Sequence, residues 1–247
     1  MPRPRSRPYR CGYGHSLRSC LTASSIRLAT GDQYVRSSTG SRFAVAAASA
    51  LVLPVSLPVF VITGPSGAGK GTLIKGLGER VPEVEVAVSA TTRAQRPGEV
   101  DGSDYWFLSD DEFTRRVEVG EFLEHVSYVS GRRYGTLRSE LDRIADHSRV
   151  CVLELELEGA LDVQANVSGS VTIFIAADVP ELERRLRARA TESTGEIGER
   201  IALARAQLEQ AHRFRYMVRN DELERATAAL AAIVECELAR AGTMGRS

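Results

Sequence analysis

The chain has 247 residues, of which 43% are hydrophobic and 26% charged, so it is long enough for one large or two small domains with a real core. Equal numbers of basic and acidic residues give a formal net charge of zero, which excludes a global electrostatic attraction of the chain to nucleic acid or membranes. The four cysteines lack metal-ligand spacing, and we expect Cys151 and Cys236 to be reduced core thiols in a reducing compartment.

The first 57 residues differ from the rest of the chain in composition. They contain eight arginines and one acidic residue and have no sustained apolar period, which predicts a disordered or processed basic tail over 1–57. A flexible tail, an organelle transit peptide and extra residues from an upstream start codon are all compatible with it. The uncharged run 43–63 has the length of a signal anchor, but Pro54 and Pro58 interrupt it, so we expect a soluble, cytoplasmic protein.

A glycine-rich loop follows the first strand that the sequence predicts. Residues 59–63 form an uncharged β-branched and aromatic run, and the glycines after them lead through Lys70 into a helical pattern. Glycines let backbone N–H groups approach phosphate oxygens, and the helix dipole and a lysine favour the same anion. This predicts a nucleotide phosphate loop, against the alternative of a plain turn with a surface lysine. The loop residues are Gly64, Pro65, Ser66, Gly67, Ala68, Gly69, Lys70, Gly71 and Thr72.

Helices and strands alternate after the loop at the spacing of parallel βαβ units. Helices are predicted over 69–80, 110–118, 137–145, 158–166, from Pro180 onward and over 221–238. Strands are predicted over 84–89, 104–108, 122–129, 150–155, 171–176 and 216–219. The pattern indicates a three-layer α/β core with a parallel sheet and an insertion between its second and third core strands. Ligands in such sheets bind at the carboxyl ends of the strands, where the phosphate loop lies.

The predicted insertion contains polar groups suited to a nucleotide. Arg93 and Arg96, beside a Pro-Gly turn, offer a fork of donors for one phosphate group, although a solvated charged turn has the same spacing. A guanine ring presents donors at N1 and N2 and acceptors at O6 and N7, so its recognition requires a carboxylate together with hydroxyl groups. Glu124, Ser89 and Thr136 supply that set.

From Val59 to about Leu238 the sequence resembles the guanylate kinase family. The matching stretches are residues 64–72 (GPSGAGKGT), 88–99 (VSATTRAQRPGE), 122–124 (FLE), 134–136 (YGT), 154–156 (ELE) and 189–192 (RATE), with Arg200 following. The arginine stretch at 88–99 is specific to this family, since adenylate kinases share the loop but not that segment. The resemblance implies ATP-dependent phosphorylation of GMP, and of dGMP, to the diphosphate, with Mg²⁺ as cofactor.

The resemblance also implies a P-loop nucleoside monophosphate kinase architecture with an inserted GMP-binding domain and a mobile lid. The expected parts are core segments 58–88, 137–186 and 204–240, a GMP-binding insertion 89–136, a lid 187–203 and a flexible end 241–247. Phosphoryl transfer requires positioning and neutralisation of charge more than covalent chemistry, and the lid excludes water.

Site residues follow from the resemblance position by position. Those expected to bind GMP are Ser89, Arg93, Arg96, Tyr105, Glu124, Tyr134, Thr136, Glu154 and Glu156. Those expected to act on the phosphates are Lys70, Arg93, Arg185, Arg189 and Arg200, and Thr72 is the expected magnesium residue.

Three departures from the family pattern bear on these roles. Glu154 and Glu156 stand where the family has either Asp or Glu, Ala190 replaces a usual lid glycine, and Gly71 replaces the usual hydroxyl residue after the lysine.

Two other functions are compatible with parts of the sequence. Some scaffold proteins carry a guanylate kinase-like domain as a non-catalytic binding module, but such modules typically lose the loop or the lid arginines that are present here. Nucleic-acid binding by the basic tail rests on charge alone. We therefore expect GMP and ATP as partners, no nucleic acid and no membrane, with a monomer and a homo-oligomer both left open.

Overall fold

The structure is a computed structural model that describes residues 58–128, 131–188 and 194–244. In chain order the strands of this part are β1 (Phe60–Thr63), β2 (Val84–Val86), β3 (Ser89–Thr91), β4 (Trp106–Phe107), β5 (Phe122–Ser127), β6 (Arg133–Leu137), β7 (Val150–Glu154), β8 (Val171–Ala176) and β9 (Tyr216–Arg219). The helices are α1 (Lys70–Arg80), α2 (Asp110–Glu118), α3 (Arg138–Asp146), α4 (Leu157–Asn166), α5 (Val179–Ala188), α6 (Thr194–Glu209) and α7 (Leu223–Met244).

The core sheet has the strand order β2-β7-β1-β8-β9, and its neighbouring strands are paired in parallel. Its two faces are covered by separate apolar clusters. One cluster joins the sheet to α1, α5, α6 and α7, and the other joins it to α3 and α4. On α1 the apolar spacing predicted from sequence is the buried face, formed by Leu73, Ile74 and Leu77. The three-layer α/β core with a parallel sheet is therefore confirmed.

A second, smaller sheet has the order β4-β3-β6-β5 and is formed by the chain between core strands β2 and β7. β6 pairs antiparallel with both β3 and β5, whereas β3 and β4 are parallel. Helix α2 covers this sheet through Phe113, which packs with Ala90, Phe122 and Leu137. Its bounds match the prediction, because Ser109 caps the first turn by accepting from the Glu112 N–H.

Two local predictions differ from the structure. The run predicted as one strand over 84–89 is divided into β2 and β3, which belong to different sheets, because the chain leaves the core sheet after Val86. Helix α6, of 16 residues, was not predicted, because its residues were divided between the expected lid 187–203 and the expected core segment 204–240. Arg189 and Ala190, in that predicted lid, lie outside the described residues.

Cysteines and hydropathy add two observations. Cys151 is a free thiol buried in β7, Cys236 on α7 is half-buried, and Cys11 and Cys20 lie outside the described residues. Cys236 is therefore less buried than the core position expected for it. Within residues 58–128, 131–188 and 194–244, we find no helix with the length and apolarity needed to cross a bilayer.

Candidate active site

The glycine loop lies at the carboxyl end of β1 and leads directly into α1. Gly67 and Gly69 have φ of 85° and 86°, in the left-handed region that residues with a Cβ rarely adopt. Gly64 is required for space, because a Cβ there would collide with the Ile175 carbonyl of β8. The loop conformation therefore depends on these glycines, as its sequence predicted.

Side chains from outside the loop bind its carbonyl oxygens. Asn220 Nδ2 donates to the Ala68 carbonyl at 2.7 Å, and Arg185 Nη1 donates to the Gly67 carbonyl at 3.3 Å. Lys70 Nζ donates to the Gly64 carbonyl at 2.8 Å. These bonds hold the Gly64, Gly67 and Ala68 carbonyls in place, and a trans peptide directs the N–H of the following residue opposite to each carbonyl. The N–H groups at the start of α1 have no intrahelical partner and complete an anion site.

The arginines predicted to form a lid have different surroundings. Arg185 of α5 is anchored rather than mobile, since it also pairs with Glu181 at 2.7 Å and donates to the Asn220 carbonyl at 3.1 Å. Arg200 of α6 donates to the Ser66 hydroxyl at 2.9 Å, so it reaches the loop. Arg189 lies outside the described residues.

The register of the second sheet places the predicted base-reading residues in one row. Ser89 of β3 is paired with Thr136 of β6, and Thr136 is paired on its other side with Glu124 of β5. A β-bulge between Phe122 and Glu124 sets this alignment. Residues far apart in the sequence therefore become neighbours across adjacent strands.

Glu124 is held firmly within this row. Its side chain is only 7% exposed, and its Oε1 accepts from the Thr136 hydroxyl at 2.9 Å. Its Oε2 lies against Gly159 of α4, where a Cβ would come within 2.5 Å of it. Burial raises the pKa of Glu124, and the hydrogen bonds from Thr136 oppose that rise. The carboxylate is thus an immobilised acceptor on the floor of the site.

Arg93 and Arg96, which were expected to offer a fork of donors to one phosphate group, differ in burial and both contact Glu99. The Arg93 guanidinium is buried and makes a two-pronged ion pair with Glu99, at 3.0 and 2.8 Å. It also lies over the rings of Tyr105 and Phe107. Arg96 is exposed, and its backbone N–H donates to Glu99 at 2.8 Å. Glu99 therefore organises both arginines, and the ion pair with Arg93 holds the pKa of Glu99 below its usual range.

A cavity of 580 Å³ runs from Lys70 at the phosphate loop to the row of base-reading residues. The predicted site residues that line it are Lys70, Ser89, Tyr105, Glu124, Tyr134, Glu154 and Glu156. Arg93, Arg96 and Thr136 are not part of its described lining. The two parts of the predicted site, the phosphate loop and the row of predicted base-reading residues, thus open into one cavity.

Two carboxylates border the cavity at the ends of core elements. Glu154 is the last residue of β7, and Glu156 immediately precedes α4 without a capping hydrogen bond from its side chain. Glu154 is exposed to the cavity, but the surrounding protein displaces enough water to raise the pKa of its carboxyl group. Lys70 opposes that rise and Glu156 reinforces it. A Cβ at Gly71 would lie 3.8 Å from Glu154 Oε2, so this carboxylate adjoins the first turn of α1.

The sequence reading missed several residues that shape the site. Asn220, which is buried and supports the loop, follows the last core strand, and the Asn-Asp pair there is a weak signal by itself. Glu99 was read as part of the turn, although its spacing from Arg93 allowed an ion pair. Tyr128 and Arg132 also line the cavity.

Comparison with known proteins agrees with this geometry. The family model for guanylate kinase matches residues 57–237. A guanylate kinase of Synechococcus elongatus is 44% identical over 177 residues, which cover 71% of this chain and 96% of that protein. A guanylate kinase of Thermotoga maritima is 40% identical over 183 residues, covering 74% and 88%.

A solved structure is also similar. The crystal structure of guanylate kinase from Anaplasma phagocytophilum superposes with a TM-score of 0.58 at 27% identity, covering 74% of this chain and 86% of that one. The family model spans most of the chain, and the chain covers 96% of a relative to which it is 44% identical. This chain therefore belongs to the guanylate kinase family.

Proposed function

We propose that this member of the guanylate kinase family transfers the terminal phosphoryl group of ATP to GMP, and to dGMP, forming the diphosphate. The observation that carries the proposal is the cavity in which Lys70, at the phosphate loop, and Glu124, in the base row, share one space. Two substrates bound at its ends would place a phosphate donor and a phosphate acceptor next to each other. Such positioning converts a reaction between two molecules into an effectively unimolecular one.

On the ATP side, we assign the phosphates to the loop Gly64–Thr72. The positive φ of Gly67 and Gly69 and the hydrogen bonds that Arg185 and Asn220 donate to the loop carbonyls support this assignment. Lys70 donates to the Gly64 carbonyl, and on binding ATP it would exchange that neutral acceptor for phosphate oxygens, which bind an ammonium more strongly.

On the GMP side, we assign base recognition to Ser89, Glu124, Thr136 and Glu156. The Glu124 carboxylate can accept from both guanine N1–H and the N2 amino group, whereas adenine offers a lone pair at N1 and no amino group at C2. We assign the GMP phosphate to Arg93, Arg96, Tyr105 and Tyr134, and Glu154 to the space between the substrates. Exposed Arg96 is available directly, whereas Arg93 would have to share its guanidinium with Glu99.

Closure over the phosphates is assigned to Arg185, Arg189 and Arg200. Arg200 supports this role by reaching Ser66 of the loop. Arg185 is bound to loop carbonyls, so its contribution would be to fix the loop and place positive charge behind it. Excluding water from the closed site prevents hydrolysis of ATP and strengthens each electrostatic contact.

Mg²⁺ is the cofactor that we propose, and the residues present fit it. The exposed Thr72 hydroxyl and the Glu154 carboxylate both adjoin the first turn of α1 and are hard oxygen ligands of the kind that Mg²⁺ prefers. Mg²⁺ usually keeps several waters and is bound through one or two protein oxygens together with substrate phosphates, so these two oxygens are enough on the protein side. When bound, the ion would neutralise negative charge on the phosphates.

We also propose that the protein works in the cytoplasm on free nucleotides, without nucleic-acid or membrane partners. The zero net charge and the buried free thiol of Cys151 support this proposal.

A coupled assay of ADP release tests the function directly. Purified protein is given ATP and Mg²⁺ with GMP, dGMP, AMP, UMP or CMP in separate reactions. We expect rapid turnover with GMP and dGMP and a large preference over AMP, because mismatched buried polar groups cost about 1–3 kcal/mol each. Tight GMP binding without turnover would instead identify a non-catalytic binding module.

A further inference from the structure

A buried carboxylate outside the cavity connects the two sheets. Glu140 of α3 is only 2% exposed, and its oxygens accept from the backbone N–H of Val88 at 2.8 Å and from the indole N–H of Trp106 at 3.1 Å. Arg143, one turn further along α3, donates to the same carboxylate at 2.9 Å. None of the roles assigned above uses this residue.

Glu140 contacts two segments of the chain, each at the residue next to one that we propose binds GMP. We call these segments, which carry Ser89 and Tyr105, the arms of the GMP site. Val88 lies on the connection between core strand β2 and strand β3 and immediately precedes Ser89. Trp106 begins β4 and immediately follows Tyr105. Ser89 and Tyr105 both line the cavity. One carboxylate therefore holds the backbone next to a proposed base ligand and the ring next to a proposed phosphate ligand.

The charge at Glu140 fits this use. Burial alone raises the pKa of its carboxyl group, but the donors Arg143, Val88 and Trp106 outweigh burial and lower it. Arg143 also pairs with Glu85 of β2, which ties α3 to the core sheet. The indole ring is confined on its other side, since a Cβ at Gly102 would lie 2.9 Å from it.

We propose that Glu140 is a positioning residue for GMP: its carboxylate fixes the Ser89 and Tyr105 arms relative to each other and to α3 before the substrate arrives. This inference rests on the proposed function, because it concerns the same site. Arms held in place lose little conformational freedom when GMP binds, so the carboxylate improves GMP affinity without touching the nucleotide. ATP, bound at the loop, is independent of it.

Glu140→Gln tests the proposal with matched kinetics. Every group facing the carboxylate is a donor, so the amide NH₂ of glutamine would oppose at least one of them. We expect KM for GMP to rise roughly tenfold, which corresponds to about 1.4 kcal/mol, while KM for ATP changes less than about twofold. The control is Glu85→Gln, which removes the other carboxylate partner of Arg143 but contacts neither Val88 nor Trp106, and it should leave both KM values unchanged.

The wild-type protein offers a second measurement that does not depend on a variant folding. Trp106 is the only tryptophan in the sequence, so its indole N–H gives one identifiable NMR signal. Because Glu140 accepts from that N–H before the substrate arrives, we expect the indole N–H to be protected from exchange with solvent in the protein alone, and adding GMP or ATP should change that protection little. Trp106→Phe, which removes one donor and keeps Val88 and Arg143, should raise KM for GMP by a smaller factor than Glu140→Gln.

The outcomes separate this proposal from the function itself. If the wild-type protein does not phosphorylate GMP, the proposed function fails. If the wild type is active but Glu140→Gln keeps the wild-type KM for GMP, or affects GMP and ATP equally, Glu140 is not a positioning residue. An indole N–H that exchanges rapidly with solvent until GMP is added, or a Glu85→Gln variant with the same defect, would also overturn the proposal.

Discussion

The glycine loop and the second sheet, to which we assign ATP and GMP, form the two ends of one cavity, but they are built in different ways. The loop is a continuous segment, Gly64–Thr72, whose shape depends on its own glycines and on the helix that follows it. The base row draws one residue from each of three strands, β3, β5 and β6, and becomes a site only when these strands pair in register.

The difference indicates how each end should respond to change. In the loop, function is concentrated in backbone N–H groups and one lysine, so a single side chain should have a large effect. In the sheet, function depends on how a buried carboxylate is held by neighbours, so indirect changes should also matter. The following predictions test this contrast, starting with the largest expected effect.

Lys70→Ala should remove most of the rate while leaving the fold intact. The ammonium contacts a loop carbonyl and the cavity rather than the apolar core, so its loss affects phosphate charge and not packing. We expect kcat with saturating GMP to fall about a hundredfold or more, with an unchanged melting temperature. The control is Lys75→Ala, because Lys75 is the only other lysine and is exposed on α1. A loss below about tenfold would contradict the role of Lys70.

Glu124→Gln should weaken the use of GMP at the other end of the cavity and reduce the preference for guanine over adenine. The amide keeps the shape of the side chain and one acceptor, but its NH₂ can donate where guanine also donates. Measured as kcat/KM, we expect GMP use to fall at least tenfold and the preference for GMP over AMP to narrow, while ATP affinity stays the same. Glu118→Gln, at an exposed carboxylate on α2, is the control. An unchanged GMP-to-AMP ratio would show that Glu124 does not read the base.

Gly159→Ala should disturb the same carboxylate indirectly. The new Cβ would come within 2.5 Å of Glu124 Oε2, so either the carboxylate or helix α4 must move. We expect KM for GMP to rise by up to about tenfold with KM for ATP unaffected. The control is Gly78→Ala on α1, where a Cβ meets nothing within 4 Å. Equal effects on both substrates would indicate general damage to the fold.

Removing the charge of Glu124 should also change stability in a pH-dependent way. Its folded-state pKa is raised by burial, so the stability it contributes is present at low pH and is lost as the pH rises through that pKa. At neutral pH, Glu124→Gln should therefore increase the free energy of unfolding of the nucleotide-free protein by about 1 kcal/mol. Urea unfolding of the wild type and of the variant at several pH values measures this free energy. The difference in unfolding free energy between the variant and the wild type should shrink as the pH falls toward the pKa of an ordinary glutamate. A difference that grows as the pH falls would contradict the prediction.

Deleting residues 1 to about 50 should have the smallest effect on either end of the cavity. That segment lacks an apolar period, and the matched family region begins at residue 57. We expect KM for both substrates, kcat and the melting temperature to remain close to those of the full chain. A marked fall in activity or melting temperature would assign the segment a structural role.

The sequence by itself determined the features that depend on neighbouring residues. The loop glycines, the buried face of α1 and the bounds of α2 follow from local conformation, periodicity and capping, and the structure has them as predicted. The motifs in residues 64–72 and 88–99 were enough to indicate the family.

Only the tertiary structure decided the pairings between distant residues. It aligned Ser89, Thr136 and Glu124, engaged Arg93 with Glu99, and bound Arg185 to the loop backbone. It also placed Glu140 between the two sheets. A periodic pattern states which face of an element is apolar, but the register of strands and the partner of each buried charge depend on packing between distant segments. Burial makes those choices specific, because an unpaired charge or donor in the interior is costly.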